Sequence, residues 1–237
     1  MAKTSVKSAS LFSEAKLKST LFYGAAYKAV EKKIISFLNA QSKESLGITA
    51  SVRTAGDKIP EVLILGIKDI LGTFASNYIF PTSRKKSANI IFDGEDGLKY
   101  HVDIITHNVE TEFNMPNITS VDRLQELYVD NRNIFVVLLI DYKPSESKNN
   151  IVNVHFTPIE FLSWECLTIG ALGAGQIQIR RASVITKIEK YSRKTWMNDF
   201  TEHMIEFYVN ENYKLSERLL KANRTRVEWL KREDVWK

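Results

Sequence analysis

The sequence predicts an α/β fold, and three observations carry the prediction. Apolar residues recur at helical spacing over three long stretches. Residues 88–108 (ANIIFDGEDGLKYHVDIITHN) hold two β-rich runs around a turn, and residues 133–142 (NIFVVLLIDY) form an unbroken apolar run of strand length.

Each element follows in order. Residues 10–40 predict a helix, because Leu17, Leu21, Phe22, Ala25, Ala29, Ile34, Ile35 and Leu38 fall at helical spacing. The stretch 41–58 (QSKESLGITASVRTAGDK) is polar and predicts a loop or short strand. From Pro60 the apolar EVLILGIKDILGTFASNYIF predicts a second helix, with a proline near its start and a stop at Pro81. A basic turn, SRKKS, leads into the hairpin. Residues 120–130 predict a short amphipathic helix through Val121, Leu124, Leu127 and Tyr128. The run 133–142 predicts a central buried strand, followed by a polar loop (KPSESKNN), a strand (IVNVHFTPI) and a short helix (PIEFLSWECL). GQIQIRRASVI alternates residue by residue, which predicts a strand. From Thr195 to Leu230 the chain predicts a helix with Trp196, Phe200, Met204, Phe207 and Tyr208 on one face. No Gly/Ser-rich or Pro-rich linker and no internal repeat interrupts the chain. One domain over 1–237 is therefore expected, with a helical part over 1–58 and a core over 60–237.

Bulk properties narrow the function. Of 237 residues, 44% are hydrophobic and 26% charged, as in ordinary globular proteins. A net charge of +5 suits a polyanionic partner without establishing one. Cys166 is the only cysteine, which excludes an intramolecular disulfide and a cysteine-rich zinc site. MAKTSVKSAS lacks the apolar stretch of a signal peptide, and no run approaches the ~18–20 apolar residues of a membrane span. A soluble cytoplasmic protein without a membrane partner is expected.

The hairpin is the first candidate site. Residues i and i+2 of a strand share a face, so Lys99, His101, Asp103, Ile105 and His107 line one side of its second run. A metal-dependent phosphodiesterase needs hard oxygen ligands for Mg²⁺ and a cation beside the scissile phosphate. The economical layout is a carboxylate on the first strand, a second on the next, and a lysine two residues after the second. Here Asn89 opens the first strand, Asp103 fills the second acidic place, and Ile105 stands where the lysine belongs. Lys99 and His107 are the substitutes on the same face. The bland alternative is a hairpin with an incidental aspartate, and Asp93, Glu95 and Asp96 are first of all turn chemistry.

Three segments in order resemble the HpaI and HincII group of type II restriction endonucleases. HVDIITHN resembles that group's Asp-Val-Lys strand. Asn117, fourteen residues beyond Asp103 in MPNITSVDRLQELY, resembles its Pro-Asn-Ile segment and following helix. GALGAGQIQIRR (170–181), followed by KYSRKTWMNDF, resembles its Ala-Leu-Gly-x-Gly-Gln-Ile-Gln-Ile segment with a downstream Arg-Thr-Thr-Trp. With the apolar strand and the Trp229-Leu230-Lys231 ending, the resemblance covers roughly residues 60–237.

The resemblance implies a PD-(D/E)xK, restriction-endonuclease-like core with a central mixed β-sheet flanked by helices. It also implies a homodimer that acts on a short palindromic double-stranded DNA site with Mg²⁺. Residue by residue, the first metal-binding aspartate falls on Asn89, the second on Asp103 and the lysine on Ile105. Losing one preorganised electrostatic group typically costs ~10²–10³ in rate, and two losses around one metal need not multiply. Sequence-specific binding with doubtful cleavage is the first expectation. An active Mg²⁺-dependent enzyme with a rearranged centre, using Lys99 or His107 beside Asp103, is the second. A general interaction module that kept only the fold is the third.

The DNA-reading segments keep their chemistry. Gly170, Ala171, Gly173, Ala174 and Gly175 allow close backbone approach to DNA. Gln176 and Gln178 share one strand face, and glutamine bonds bidentately to adenine. Asn117 is a second candidate contact. Arg180, Arg181, Lys190, Arg193, Lys194 and the run 83–86 are candidates for phosphate contacts, although any one alone is more often a solvated surface charge. Without the resemblance, the glutamine strand reads as an edge strand with polar outward residues. His155 and His203 are isolated, and Cys166 beside Trp164 suits a core.

Overall fold

The computed structural model describes residues 18–49, 51–82, 88–111, 115–144, 150–170, 174–180 and 192–234. A five-stranded mixed sheet forms its centre. The strands are β1 (Ala75–Ile79), β2 (Ile90–Gly94), β3 (Lys99–Asn108), β5 (Asn133–Tyr142) and β6 (Ile151–Pro158), in the order β1-β2-β3-β5-β6. Only β3 and β5 are parallel. The crossover between them carries β4 (Asn117–Ser120) and helix α4 (Val121–Leu127). A second, three-stranded antiparallel sheet has the order β4-β8-β7, with β7 at Leu167–Gly170 and β8 at Gln176–Ile179.

Helices cover one face of the main sheet. α1 (Thr20–Tyr23) and α2 (Ala26–Asn39) replace the single helix expected over 10–40, separated at Gly24; residues 1–17 lie outside the described residues. Val30, Ile34 and Leu38 recur every four residues on α2 and are buried with Tyr100, Val102 and Ile104 of β3. Glu31 on the same helix accepts the backbone N–H of Phe156 (2.9 Å), which satisfies a donor of β6.

Helix α3 (Val52–Leu71) corrects two expectations. It begins at Ser51, whose Oγ accepts the N–H of Thr54 (3.0 Å), rather than at Pro60. Pro60 is buried inside it, which costs the helix one backbone hydrogen bond. The helix also stops well before Pro81. Gly72 takes φ +58°, a left-handed conformation open to glycine, and the chain continues into a single 3-10 turn and β1. The apolar Ala75–Ile79 segment is thus a strand, with a register irregularity between Ser76 and Ile79.

Residues 134–140 of β5 are all buried, as its unbroken apolar run requires in a strand covered on both faces. The second face packs Ile105, Phe135, Val137 and Leu139 against α4, the inner residues of the small sheet, and Trp196 and Phe200. The expected short helix over 158–167 is one 3-10 turn, Ile159–Phe161, followed by a turn into β7, a strand that the helix expected up to Leu167 concealed. Helix α5 runs from Arg193 to Trp229 and is anchored at its start. The Trp196 indole donates to the Leu162 carbonyl (3.0 Å), and Arg193 pairs with buried Glu160 (2.8 Å) and caps the Tyr128 ring.

Candidate nucleic-acid interface and the acidic strand beside it

The glutamine strand sits with its two faces in different environments. Ile177 and Ile179 are fully buried, while Gln176 and Gln178 are half-buried on the opposite face, which carries their polar ends to the surface. Gln178 lies between Asn117 on β4 and Thr168 on β7, and its Nε2 donates to Asn117 Oδ1 (2.8 Å). Two candidate DNA contacts separated by 61 residues in sequence are thereby joined. The pairing fixes Asn117 as acceptor and leaves its amide N–H₂ and the Gln178 carbonyl oxygen, which lies over Gly170, outside this bond.

Glycine makes this arrangement possible. A Cβ at Gly170 would collide with the Gln178 carboxamide, so the glutamine side chain lies across the place a larger residue would fill. Gly175 takes φ +112°, and a Cβ there would press on Val121, Ile169 and Phe207. Ala174 is exposed, and its carbonyl accepts a hydrogen bond from the Tyr208 hydroxyl (3.2 Å), tying this turn to α5.

The candidate cations are spread around the strand. Arg180 is exposed directly after β8 and lines a groove of about 410 Å³ with Trp164, Thr168, His203 and Lys214. Lys194 is exposed in the first turn of α5, whereas Arg193 is taken up by Glu160. Ala171, Gly173, Arg181, Lys190 and the basic run 83–86 lie outside the described residues.

The hairpin forms as expected, and the fate of its site residues is specific. Antiparallel pairing runs from Ile90 opposite Val102 to Asp93 opposite Lys99, and continuing the register sets Asn89 across from Asp103. The Asn89 Oδ1 accepts the N–H of Ile104 (2.8 Å), so the amide oxygen is already engaged by backbone. Asp103 is half-buried. Ile105, one same-face step beyond it, is buried among Ile118, Val121 and Leu139.

The two substitute groups have partners of their own. Lys99 Nζ pairs with Asp93 (3.0 Å), and this bond holds the Asp93 carboxyl below its usual range. His107 Nδ1 donates to Asp141 Oδ1 (3.0 Å) on the neighbouring strand, a pair no spacing rule revealed. Each lies four residues from Asp103, roughly 13 Å along an extended strand. His101, on the same face, donates through Nε2 to Asn133 Oδ1 (3.2 Å), and burial pushes its pKa below the ordinary value. The turn acid Asp96 accepts from the Tyr100 hydroxyl (2.6 Å) and from the N–H groups of Thr20 and Leu98. Asp93 and Asp96 are thus fold chemistry.

Among the described residues, no three His, Cys, Asp or Glu side chains gather as a metal-holding group. At the level of Asn89 and Asp103 the two residues offer one carboxylate and one engaged amide, which does not fit a magnesium ion needing several hard oxygens, and Asp93 further along β2 is paired with Lys99. No described helix is long and apolar enough to cross a membrane.

No protein-family model matches the chain, and no curated protein matches it. The likeness to restriction endonucleases rests on the three segments themselves.

Proposed function

We propose that this chain is a sequence-specific, double-stranded-DNA-binding protein on a restriction-endonuclease-like core, with a catalytic strand that no longer supports magnesium-dependent cleavage. It acts as a homodimer on a short palindrome, each copy reading one half. The observation that carries the reading is the outward pairing of Gln178 with Asn117 above Gly170. Two carboxamides held against each other on adjacent strands at the surface are preorganised donors and acceptors of the kind that read base edges. A mixed central sheet flanked by helices is the coarse architecture the resemblance implies.

The cleavage half rests on chemistry. A phosphodiesterase lysine replaced by a buried isoleucine has no route to phosphate, and an asparagine spent on a backbone N–H is a poor metal ligand. The alternative of a rearranged active centre draws no support from Lys99 or His107, which pair with Asp93 and Asp141.

Selection from a random duplex pool, in Ca²⁺ and then in Mg²⁺, tests the proposal. A single enriched palindrome, lost in the Asn117→Ala/Gln178→Ala variant, is the expected result. Enrichment of no sequence removes the reading.

A further inference from the structure

The positive charge of the protein is concentrated in one exposed segment. Residues 214–232 carry seven Lys or Arg against two Glu, a net +5 that equals the net charge of the whole chain, and the other residues balance at 26 of each sign. The segment is the distal half of α5 with the turn after it, and every residue from Asn212 to Asp234 is exposed. At about 1.5 Å per residue it extends for about 27 Å. The cations also take sides. At about 100° per residue, Lys214, Arg218 and Lys221 fall within an arc of about 60°, the arc that Trp196, His203 and Phe207 occupy nearer the start of the helix. Those three meet the body: Trp196 is buried, His203 lies on the Trp164 ring, and Phe207 lies against Gly175. The side of α5 that packs on the body is therefore the side that turns basic where the helix leaves it.

We infer that this basic side of α5 is a phosphate track for the duplex that flanks the site read by the glutamine strand. The inference rests on the duplex-binding part of the reading above, and it places a sequence-independent contact in a part of the chain that reading does not use. Continuity with the candidate reading surface selects the occupant. Lys214 and Arg180 line the same groove as Thr168, and Thr168 is the cross-strand neighbour of Gln178. A duplex seated on Asn117 and Gln178 runs past Thr168 with its phosphates toward Arg180 and Lys214. Arg218 and Lys221 continue the line about 6 Å and about 10 Å further along the helix. The acids nearby do not cancel it. Glu211 pairs with Lys214 (2.7 Å) in an exposed bridge of little net worth, which a phosphate replaces. Glu217, at the border of the arc, accepts from the Tyr213 hydroxyl (3.1 Å), and Glu228 is the one further acid of the segment. A lipid surface is the poorer fit, because it would take the far side of the helix, whose centre is Asn212, Ser216 and Asn223.

The salt dependence of binding tests this, measured with the full chain on a palindromic and a scrambled duplex, each with flanks of about ten base pairs. Lys214→Gln/Arg218→Gln/Lys221→Gln lowers affinity about ten-fold or more for both duplexes at about 0.1 M salt, and it reduces the slope of log affinity against log salt by about 2–3. Any preference for the palindrome and the unfolding midpoint stay as in the wild type. Arg226→Gln, on another side of the helix, leaves the slope unchanged. Trimming the flanks costs the wild type affinity and costs the triple variant none. An unchanged slope in the triple variant overturns the track even where the palindrome is preferred, and an equal change in Arg226→Gln overturns its one-sidedness. Equal binding to both duplexes with a slope that falls in the variant upholds the track and removes the sequence-reading proposal instead. Phosphatidylserine vesicles bound through these three residues, with duplex binding unaltered by the variant, overturn the track in favour of a lipid surface.

Discussion

At the scale of single residues, Asn89 and Ile105 behave differently although both depart from the nuclease pattern. Asn89→Asp keeps an oxygen facing the Ile104 amide, so the fold should lose less than about 1 kcal/mol. Ile105→Lys introduces a cation among Ile118, Val121 and Leu139 and should cost about 2–4 kcal/mol, read by denaturant unfolding. The lysine that the resemblance would require there is thus opposed by the packing around isoleucine. Gln178 and Asn117 share one hydrogen bond, so Ala substitutions there should each cost about 1–3 kcal/mol of site-specific affinity and combine non-additively in a double-mutant cycle. His101 and His155 are both held below the ordinary histidine value of 6.5, chiefly by burial. The unfolded chain binds protons at these positions before the folded chain does. Their contribution to stability is therefore complete above pH 6.5 and lost as the pH falls through the folded values. Thermal unfolding should show a midpoint that drops as the pH falls below about 6.5, and His101→Gln/His155→Gln should flatten that slope.

At the scale of elements, legibility followed periodicity and local chemistry. The strand 133–142 was readable because ten apolar residues in a row suit a strand buried on both faces. The hairpin was readable from its Asp-Gly turn, and the strand Gln176–Ile179 from its alternation. What stayed hidden has physical causes. Apolar density ran through Gly72 into Ala75–Ile79, and only a backbone φ of +58° separates helix from strand there. β7 ends on Gly170, whose lack of a side chain weakens any strand signal and at the same time admits Gln178. The Asn117–Gln178 and His107–Asp141 pairs depend on strand register across long sequence separations, which spacing along the chain does not encode. Gly170→Ala tests the first of these links. The added methyl displaces the Gln178 carboxamide, so duplex selectivity should fall while the unfolding midpoint moves by less than about 1 kcal/mol of stability.

At the scale of the whole molecule, α5 joins the two halves of the account. Its first turns belong to the core, through Trp196 against Leu162 and Arg193 against Glu160, and Trp196→Ala should cost about 3–5 kcal/mol. Tyr208 then reaches the turn that precedes the glutamine strand, so the helix anchored in the core also braces the candidate reading surface. The net charge of +5 is modest, and the Lys and Arg residues available near the strand should make affinity fall steeply with salt.

The central claim is that a glutamine-bearing strand grips duplex bases beside a strand that has lost cleavage chemistry. Incubating the protein with varied palindromic duplexes plus Mg²⁺ or Mn²⁺, scoring mobility shift and cutting in the same tube, tests it most directly. The account predicts a shift on one palindrome with the DNA left intact. Discrete Mg²⁺-dependent fragments that vanish with Asp103→Ala, or the absence of any sequence-selective shift, would contradict it.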